Sequence, residues 1–171
     1  MKIEIKSAQE WSTPEQARQD CVVTSALYAY LTGTHWATPD WAVMVWEGEE
    51  MVSNVHIIER TVLVGGQPVK VGGVGNIATK IEWRKRGYAT EALKVAVDFL
   101  RDPLGVEFGL MTAIEKLVPR YERTGWRVTA HSLQFEQPGG GKGAFTYPVL
   151  ILPVIKSDWP LGEIDLRGLP W

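Results

Sequence analysis

VGGVGNIATKIEWRKRGYATEALKVAVDFL, residues Val71 to Leu100, decides how the rest of the chain is read. Its first part belongs to a run from Val69 to Thr79 rich in Val, Ile and Gly, which suits a buried strand that something approaches closely along its backbone. Its last part sets Ala92, Leu93, Ala96, Phe99 and Leu100 on one side and Glu91, Lys94, Asp98 and Arg101 on the other. That spacing predicts an amphipathic helix from Ala89, stopped by Asp102-Pro103. Between strand and helix lies Arg84-Lys85-Arg86-Gly87-Tyr88-Ala89.

A turn of this composition at a helix start points several backbone N–H groups one way and adds the positive end of the helix dipole. Guanidinium and ammonium groups surround both, which makes a receptor for a di-anion such as a pyrophosphate. Gly87 lets the backbone approach where a Cβ would intrude, and small Ala89 keeps the first turn open. A merely solvated basic turn is the competing account of Arg84 to Arg86.

Arg84-x-x-Gly87-x-Ala89 resembles the R/Q-x-x-G-x-G/A signature of the GNAT acyltransferase superfamily, and it follows a strand as that family requires. The resemblance implies acetyl-coenzyme A (acetyl-CoA) as cofactor, with its pyrophosphate at the turn and its pantetheine arm along the preceding strand. Carried over by position, the cofactor-binding residues are Ile77, Ala78, Thr79, Arg84, Lys85, Arg86, Gly87, Tyr88, Ala89 and Thr90.

At 171 residues the chain is long enough for one domain with an adequate core, and 45% hydrophobic with 22% charged residues is ordinary for a soluble globular protein. The formal charge of −2, with basic residues gathered at one turn rather than along a stripe, gives no case for nucleic acid. Cys21 is the only cysteine, so no intrachain disulfide framework forms. The first residues alternate apolar and charged side chains, unlike a signal peptide, and Pro148 and Pro153 break the most apolar later stretch. A cytoplasmic protein without a membrane partner is expected.

Taken in order, Lys2 to Lys6 reads as a strand, and Thr13-Pro14-Glu15-Gln16 as a helix start with Thr13 as N-cap. That helix should run to about Leu31, with Cys21 a small buried residue inside it. Trp36 and Trp41 bracket a loop and form either a ligand wall or a plug of the core. Ala42 to Trp46 and Val52 to Val64 read as strands, and Gly65-Gly66-Gln67 as a hairpin turn into the strand that ends at Thr79. Val106 to Thr112 is a further strand, followed by a short helix holding Leu117, Val118, Arg120 and Tyr121. Trp126 to Phe135 and Phe145 to Ile155 are strands, Gly139 to Gly143 a flexible connection, and Lys156 to Trp171 a tail. The order is α+β with about seven strands in a mixed sheet flanked by helices, which fits the GNAT topology over nearly all of residues 1–171 as a single domain.

Tyr121-Glu122-Arg123-Thr124-Gly125-Trp126 resembles the family's Y-E-R-x-G-F segment, in which the tyrosine protonates the departing coenzyme thiolate. A thiol titrates near 8.5 and a phenol near 10, so a nearby phenol can quench the thiolate through a short hydrogen bond. Family members often carry a glutamate general base on the central strand, where this chain has Gly72, Gly73 and Gly75. Glu59, Glu82, Glu107 and the carboxyl terminus of Trp171 are the other candidates.

Val55-His56-Ile57-Ile58-Glu59-Arg60, Met111-Thr112-Ala113 and the tail ending in Trp171 together resemble the aminoglycoside 2′-N-acetyltransferase branch. That resemblance implies that Thr112 orients the acceptor or the coenzyme and that Asp165 and Trp171 face a polyamine, with residues 156–171 packing near the site; the expected catalytic residues are then Thr112 and Tyr121, and Trp36 and Glu59 join Asp165 and Trp171 as candidate lining for a small amine. A tail packed on the core through Trp159, Leu166 and Trp171 accounts for the same residues. The expected activity is transfer of acetyl to a primary amine in a ternary complex. The alternatives are a longer-chain N-acyltransferase and a non-catalytic acyl-CoA-binding module. His35, His56 and His131 have no metal-ligand spacing, so no metal is expected, and exposed aromatics permit a homodimer without requiring one.

Overall fold

The computed structural model describes residues 1–16, 18 and 33–171. The expected continuation of the first helix to Leu31, with Cys21 in it, lies outside the described residues. The chain divides into two compact units, one of Met1–Thr34, Thr38–Ile58 and Val74–Phe99, the other of His35–Ala37, Glu59–Gly73 and Leu100–Trp171. Two long strands, β3 (Glu50–Val64) and β4 (Gln67–Thr79), contribute residues to both.

In the first unit β1 (Lys2–Ser7) lies antiparallel to β2 (Trp41–Glu47), and β2 antiparallel to the first half of β3, with a register shift between Val45 and Trp46. The second half of β4 follows β3 and is the edge strand of this unit. Alternation sorts the two faces. Ala42, Met44, Trp46, Met51 and Ala78 form one buried cluster with Trp11 packed on it. From the opposite face Trp41 meets Phe99 edge-on at 5.5 Å. Phe99 comes from helix α1 (Tyr88–Arg101), whose Ala92, Leu93, Ala96 and Leu100 are buried while Lys94 and Asp98 are exposed, as the spacing predicts.

The first helix starts one residue earlier than expected. Ser12, not Thr13, is the cap: its N–H donates to Glu15 Oε2 at 2.9 Å, and its Oγ accepts from the Glu15 N–H at 3.4 Å. A carboxylate is a stronger acceptor than the Gln16 amide, and Glu15 is also paired with Lys6 of β1. That bond from Lys6, ahead of those from Ser12, holds the Glu15 carboxyl down at about 2.

In the second unit the strand order is β6, β9, β5, β4, β3, β10, β7, β8. The central pair is parallel: β5 (Phe108–Thr112) runs beside β4 from Val71↔Phe108 to Gly73↔Leu110. β9 (Val149–Pro153) lies antiparallel to β5 and to β6 (Arg127–Thr129). β10 (Ile164–Asp165) pairs antiparallel with β3 and parallel with β7 (Leu133–Gln137), which forms a hairpin with β8 (Gly141–Ala144). Val62, Val71, Phe108, Leu110, Leu133 and Ile164 form the centre of its core.

Several expectations change here. Trp126 to Phe135 is not one strand: the His131 N–H donates to Thr129 Oγ1 at 3.3 Å in a local turn, leaving β6 to pair with β9 and β7 with β8 and β10. Gly139 and Gly140, both at positive φ, close the β7–β8 hairpin instead of a flexible connection. The strand expected from Phe145 begins only at Val149, after Pro148, which has no N–H for a ladder. The tail supplies β10, and with β8 and the division of 126–135 into two strands this brings the described residues to ten strands, where the sequence predicts about seven. The short helix α2 (Val118–Glu122) does carry Pro119 in its first turn.

Candidate functional site

The basic turn lies wholly in the first unit. Lys85 and Gly87 are left-handed, at φ 64° and 90°, on either side of Arg86. Alternating handedness of this kind turns successive amides toward one side and forms a concave anion receptor. α1 opens directly from it, and its first bonds run from the Thr90 and Glu91 N–H groups to the Gly87 carbonyl, at 2.9 and 3.1 Å. The amides of Tyr88 and Ala89 precede those bonds and are the orphan donors of the helix start. A Cβ on Gly87 would meet nothing within 4 Å, so the turn is open on that side; its left-handed backbone is what requires glycine.

The flanking side chains are set in place. Arg84 Nε donates to the Thr79 carbonyl at 3.1 Å, tying the turn to the end of β4. Arg86 donates to the Glu82 carbonyl and lies 4.7 Å over the ring of Trp83. The Tyr88 hydroxyl donates to Glu47 at 3.0 Å, and the amino terminus pairs with the same carboxylate at 3.2 Å. Burial first, then that bond, raises the Tyr88 phenol above its usual range. Trp83 and Glu47 escaped the sequence reading, because a stacking partner and a carboxylate 41 residues upstream of Tyr88 leave no local signal.

Strand alternation decides what β4 offers. The Ala78 carbonyl accepts Ser53 Oγ of β3 at 2.7 Å, so Ala78 faces β3 and its side chain is buried. Ile77 and Thr79 therefore turn their N–H and C=O groups to the outer edge, with the Thr79 carbonyl already taken by Arg84. An edge strand with outward amides, a turn left-handed at Lys85 and Gly87, and three consecutive basic residues in that turn fit the pantetheine and pyrophosphate of a coenzyme A thioester.

Tyr121, Thr112, Trp36, Glu59, Asp165 and Trp171 all lie in the second unit. Tyr121 is buried in α2, and that burial raises its phenol above the usual range, with Arg120 working the other way. Thr112 ends β5 opposite Val149. A Cβ on Gly73 of β4 would lie 2.2 Å from Trp171 Cε2, so the indole rests directly on the strand backbone. Arg60 clamps the tail: its guanidinium donates to the Leu169 carbonyl at 2.7 Å and lies 5.0 Å over the Trp171 ring. Trp36 meets Phe145 at 6.1 Å, and the next residue, Ala37, donates to the Pro170 carbonyl at 2.7 Å. Trp36 and the end of the tail are thus joined, whereas Trp41 goes to the first unit.

The acidic candidates are engaged. Glu59 pairs with Lys70 at 2.7 Å, and Asp165 Oδ1 accepts the Arg167 N–H at 2.8 Å in a turn that holds Arg167 left-handed. Glu107, bonded first by Lys156, is held below the usual carboxylate range. No helix among the described residues is long and apolar enough to cross a membrane.

The family model described as an acetyltransferase (GNAT) domain matches residues 15–129. Among solved structures, a GNAT family acetyltransferase from Brucella melitensis in complex with acetyl-CoA is 13% identical at a TM-score of 0.64, covering 97% of this chain and 96% of that one. ElaA from Escherichia coli is 11% identical at 0.63, covering 88% and 98%. An acyl-CoA N-acyltransferase from Pseudomonas aeruginosa is 10% identical at 0.63, with the same coverage of 88% and 98%. No curated protein matches the sequence. At these identities the likenesses speak to the fold alone, and the matched family carries the cofactor, acetyl-CoA. With its motif, fold and family in agreement, this chain belongs to the GNAT acetyltransferases.

Proposed function

We propose that the chain is an acetyl-CoA-dependent N-acetyltransferase acting on a primary amine of a small molecule, an aminoglycoside-like polyamine being the acceptor class. The observation that carries the reading is the Arg84 to Ala89 turn, left-handed at Lys85 and Gly87 and opening into α1. The bound coenzyme supplies an activated acyl thioester. Lys85 to Ala89 hold its diphosphate through backbone amides and charge, and the outward backbone groups of Ile77 and Thr79 meet its pantetheine end.

In the transfer the amine nitrogen bonds to the acyl carbon while the carbon–sulfur bond breaks, so one proton must leave the nitrogen and one must reach the sulfur. Tyr121 holds the second at its phenolic oxygen, and its raised pKa keeps it protonated at neutral pH. Thr112 orients the acceptor. No carboxylate on the glycine strand takes the first proton, which passes to solvent water, and water returns a proton to the Tyr121 oxygen; this favours an amine of low basicity, since one titrating near 8 costs about 3 kcal/mol less to deprotonate at neutral pH than one near 10.4. Orientation supplies much of the rate, since effective molarities of about 10⁵ M are attainable without a dedicated base. Glu59, Asp165, Trp36 and Trp171 are the groups proposed to meet the acceptor, with the tail as part of a single domain.

Release of free coenzyme thiol from acetyl-CoA over a panel of aminoglycosides, simple polyamines and amino-terminal peptides is the test. Turnover with a small polyamine is expected. Turnover only with longer acyl thioesters would assign acyl-chain transfer instead, and binding without turnover for any amine would leave a non-catalytic acyl-CoA module.

A further inference from the structure

Inside β4 one residue breaks the strand geometry. Asn76 sits at φ 45°, in the left-handed region that residues other than glycine seldom adopt. It lies immediately before Ile77, the first of the outward amides. A left-handed residue in a strand marks a bulge, which interrupts the alternation of amide directions and re-aims the N–H that follows.

The Asn76 side chain is anchored from the neighbouring strand. Its Nδ2 lies 3.0 Å from Nδ1 of His56 in β3. An amide nitrogen can only donate, so Nδ1 accepts, and the neutral ring carries its proton on Nε2. The ring of Trp11 packs 5.9 Å from the imidazole, and His56 sits opposite Ala42 on β2. Burial lowers the imidazole pKa to about 4, which keeps Nδ1 an acceptor at neutral pH. A protonated ring would present N–H to N–H and break the bond.

Resting on the acetyl-CoA reading above, we propose that His56 is a positioning residue for acyl transfer: by accepting the Asn76 amide it fixes the left-handed residue of β4 and so aims the Ile77 N–H at the thioester carbonyl oxygen. A donor held in this way costs no reorganisation as charge grows on that oxygen, and it supplies polarisation where the glycine strand carries no side chain to do so. Asn is the residue that meets both demands at position 76, tolerating the left-handed backbone and offering a donor to the ring.

The test uses the full-length protein with acetyl-CoA labelled with carbon-13 at the carbonyl, and needs no acceptor. In the wild type the carbonyl stretch of the bound ligand should fall relative to the free ligand. His56→Phe, which keeps a ring without an acceptor, and Asn76→Gly, which keeps the left-handed backbone without the anchor, should each lose most of that shift. Their acetyl-CoA dissociation constants should rise by no more than about tenfold, the worth of one hydrogen bond. The double variant should lose no more than either single one, since both remove the same contact. His56→Gln, whose carbonyl can accept the Asn76 amide, should recover part of the shift. A wild-type shift retained in Asn76→Gly, or additive losses in the double variant, would overturn the inference while the cofactor reading stands. Failure of the wild type to bind acetyl-CoA would overturn both.

Discussion

Replacement of Tyr121 by phenylalanine should lower kcat for acetyl transfer by about a hundredfold or more while leaving KM for acetyl-CoA nearly unchanged. The change removes one oxygen and keeps the ring, so the packing of buried Tyr121 persists and thermal stability should move little. The loss falls on the proton that the departing sulfur needs. Burial raises the Tyr121 phenol, so the donor is present throughout the neutral range and its removal is not masked by titration. Steady-state kinetics with the best amine from the panel, beside a melting curve, separates this outcome from damage to the fold. A variant with wild-type kcat would remove Tyr121 from the mechanism.

Gly73→Ala should destabilise the chain by about 2–4 kcal/mol, a large effect for one methyl group. The added Cβ would fall 2.2 Å from Cε2 and 2.6 Å from Nε1 of Trp171, a rigid indole held from the other side by Arg60. The ring cannot yield without releasing the tail. Gly72→Ala is the internal control, because its Cβ would meet the Leu100 side chain, Cδ2 at 2.2 Å and Cδ1 and Cγ at 3.0 Å, and a leucine changes rotamer more readily than an indole clamped by Arg60. Its cost should be nearer 1 kcal/mol. In a Trp171→Ala background the Gly73→Ala penalty should fall below about 1 kcal/mol, since the two residues share one contact. Urea unfolding of the variants and the double variant measures this; equal penalties with and without the indole would show that the tail does not rest on β4 as described.

The features that the sequence disclosed are those with local causes. The basic turn, the α1 spacing and the Gly65-Gly66 hairpin each follow from a few adjacent residues, and each stands where expected. The sequence places the first helix cap one residue late because the decisive partner of Glu15, Lys6, belongs to a separate element, β1. β6 and β7 looked continuous because alternation does not reveal a change of neighbours, and β10 was hidden because a two-residue strand has no period. The sequence leaves the tail open between packing and binding; Arg60 and Gly73, distant in sequence from Trp171, determine where it lies. The His56–Asn76 bond was the least legible, since neither a left-handed φ nor a pairing across 20 residues of sequence can be read from composition.

Acetyl-CoA binding at the Arg84 turn is the central claim, and thermal unfolding of the intact protein tests it most directly. At about a hundred times its dissociation constant, acetyl-CoA should stabilise the wild type by roughly 2.7 kcal/mol, about 5–10 °C for a chain of this size. The Arg84→Ala/Arg86→Ala variant should lose most of that shift while melting near the wild-type temperature without ligand. No shift in the wild type, or a shift that the variant retains in full, would contradict the claim.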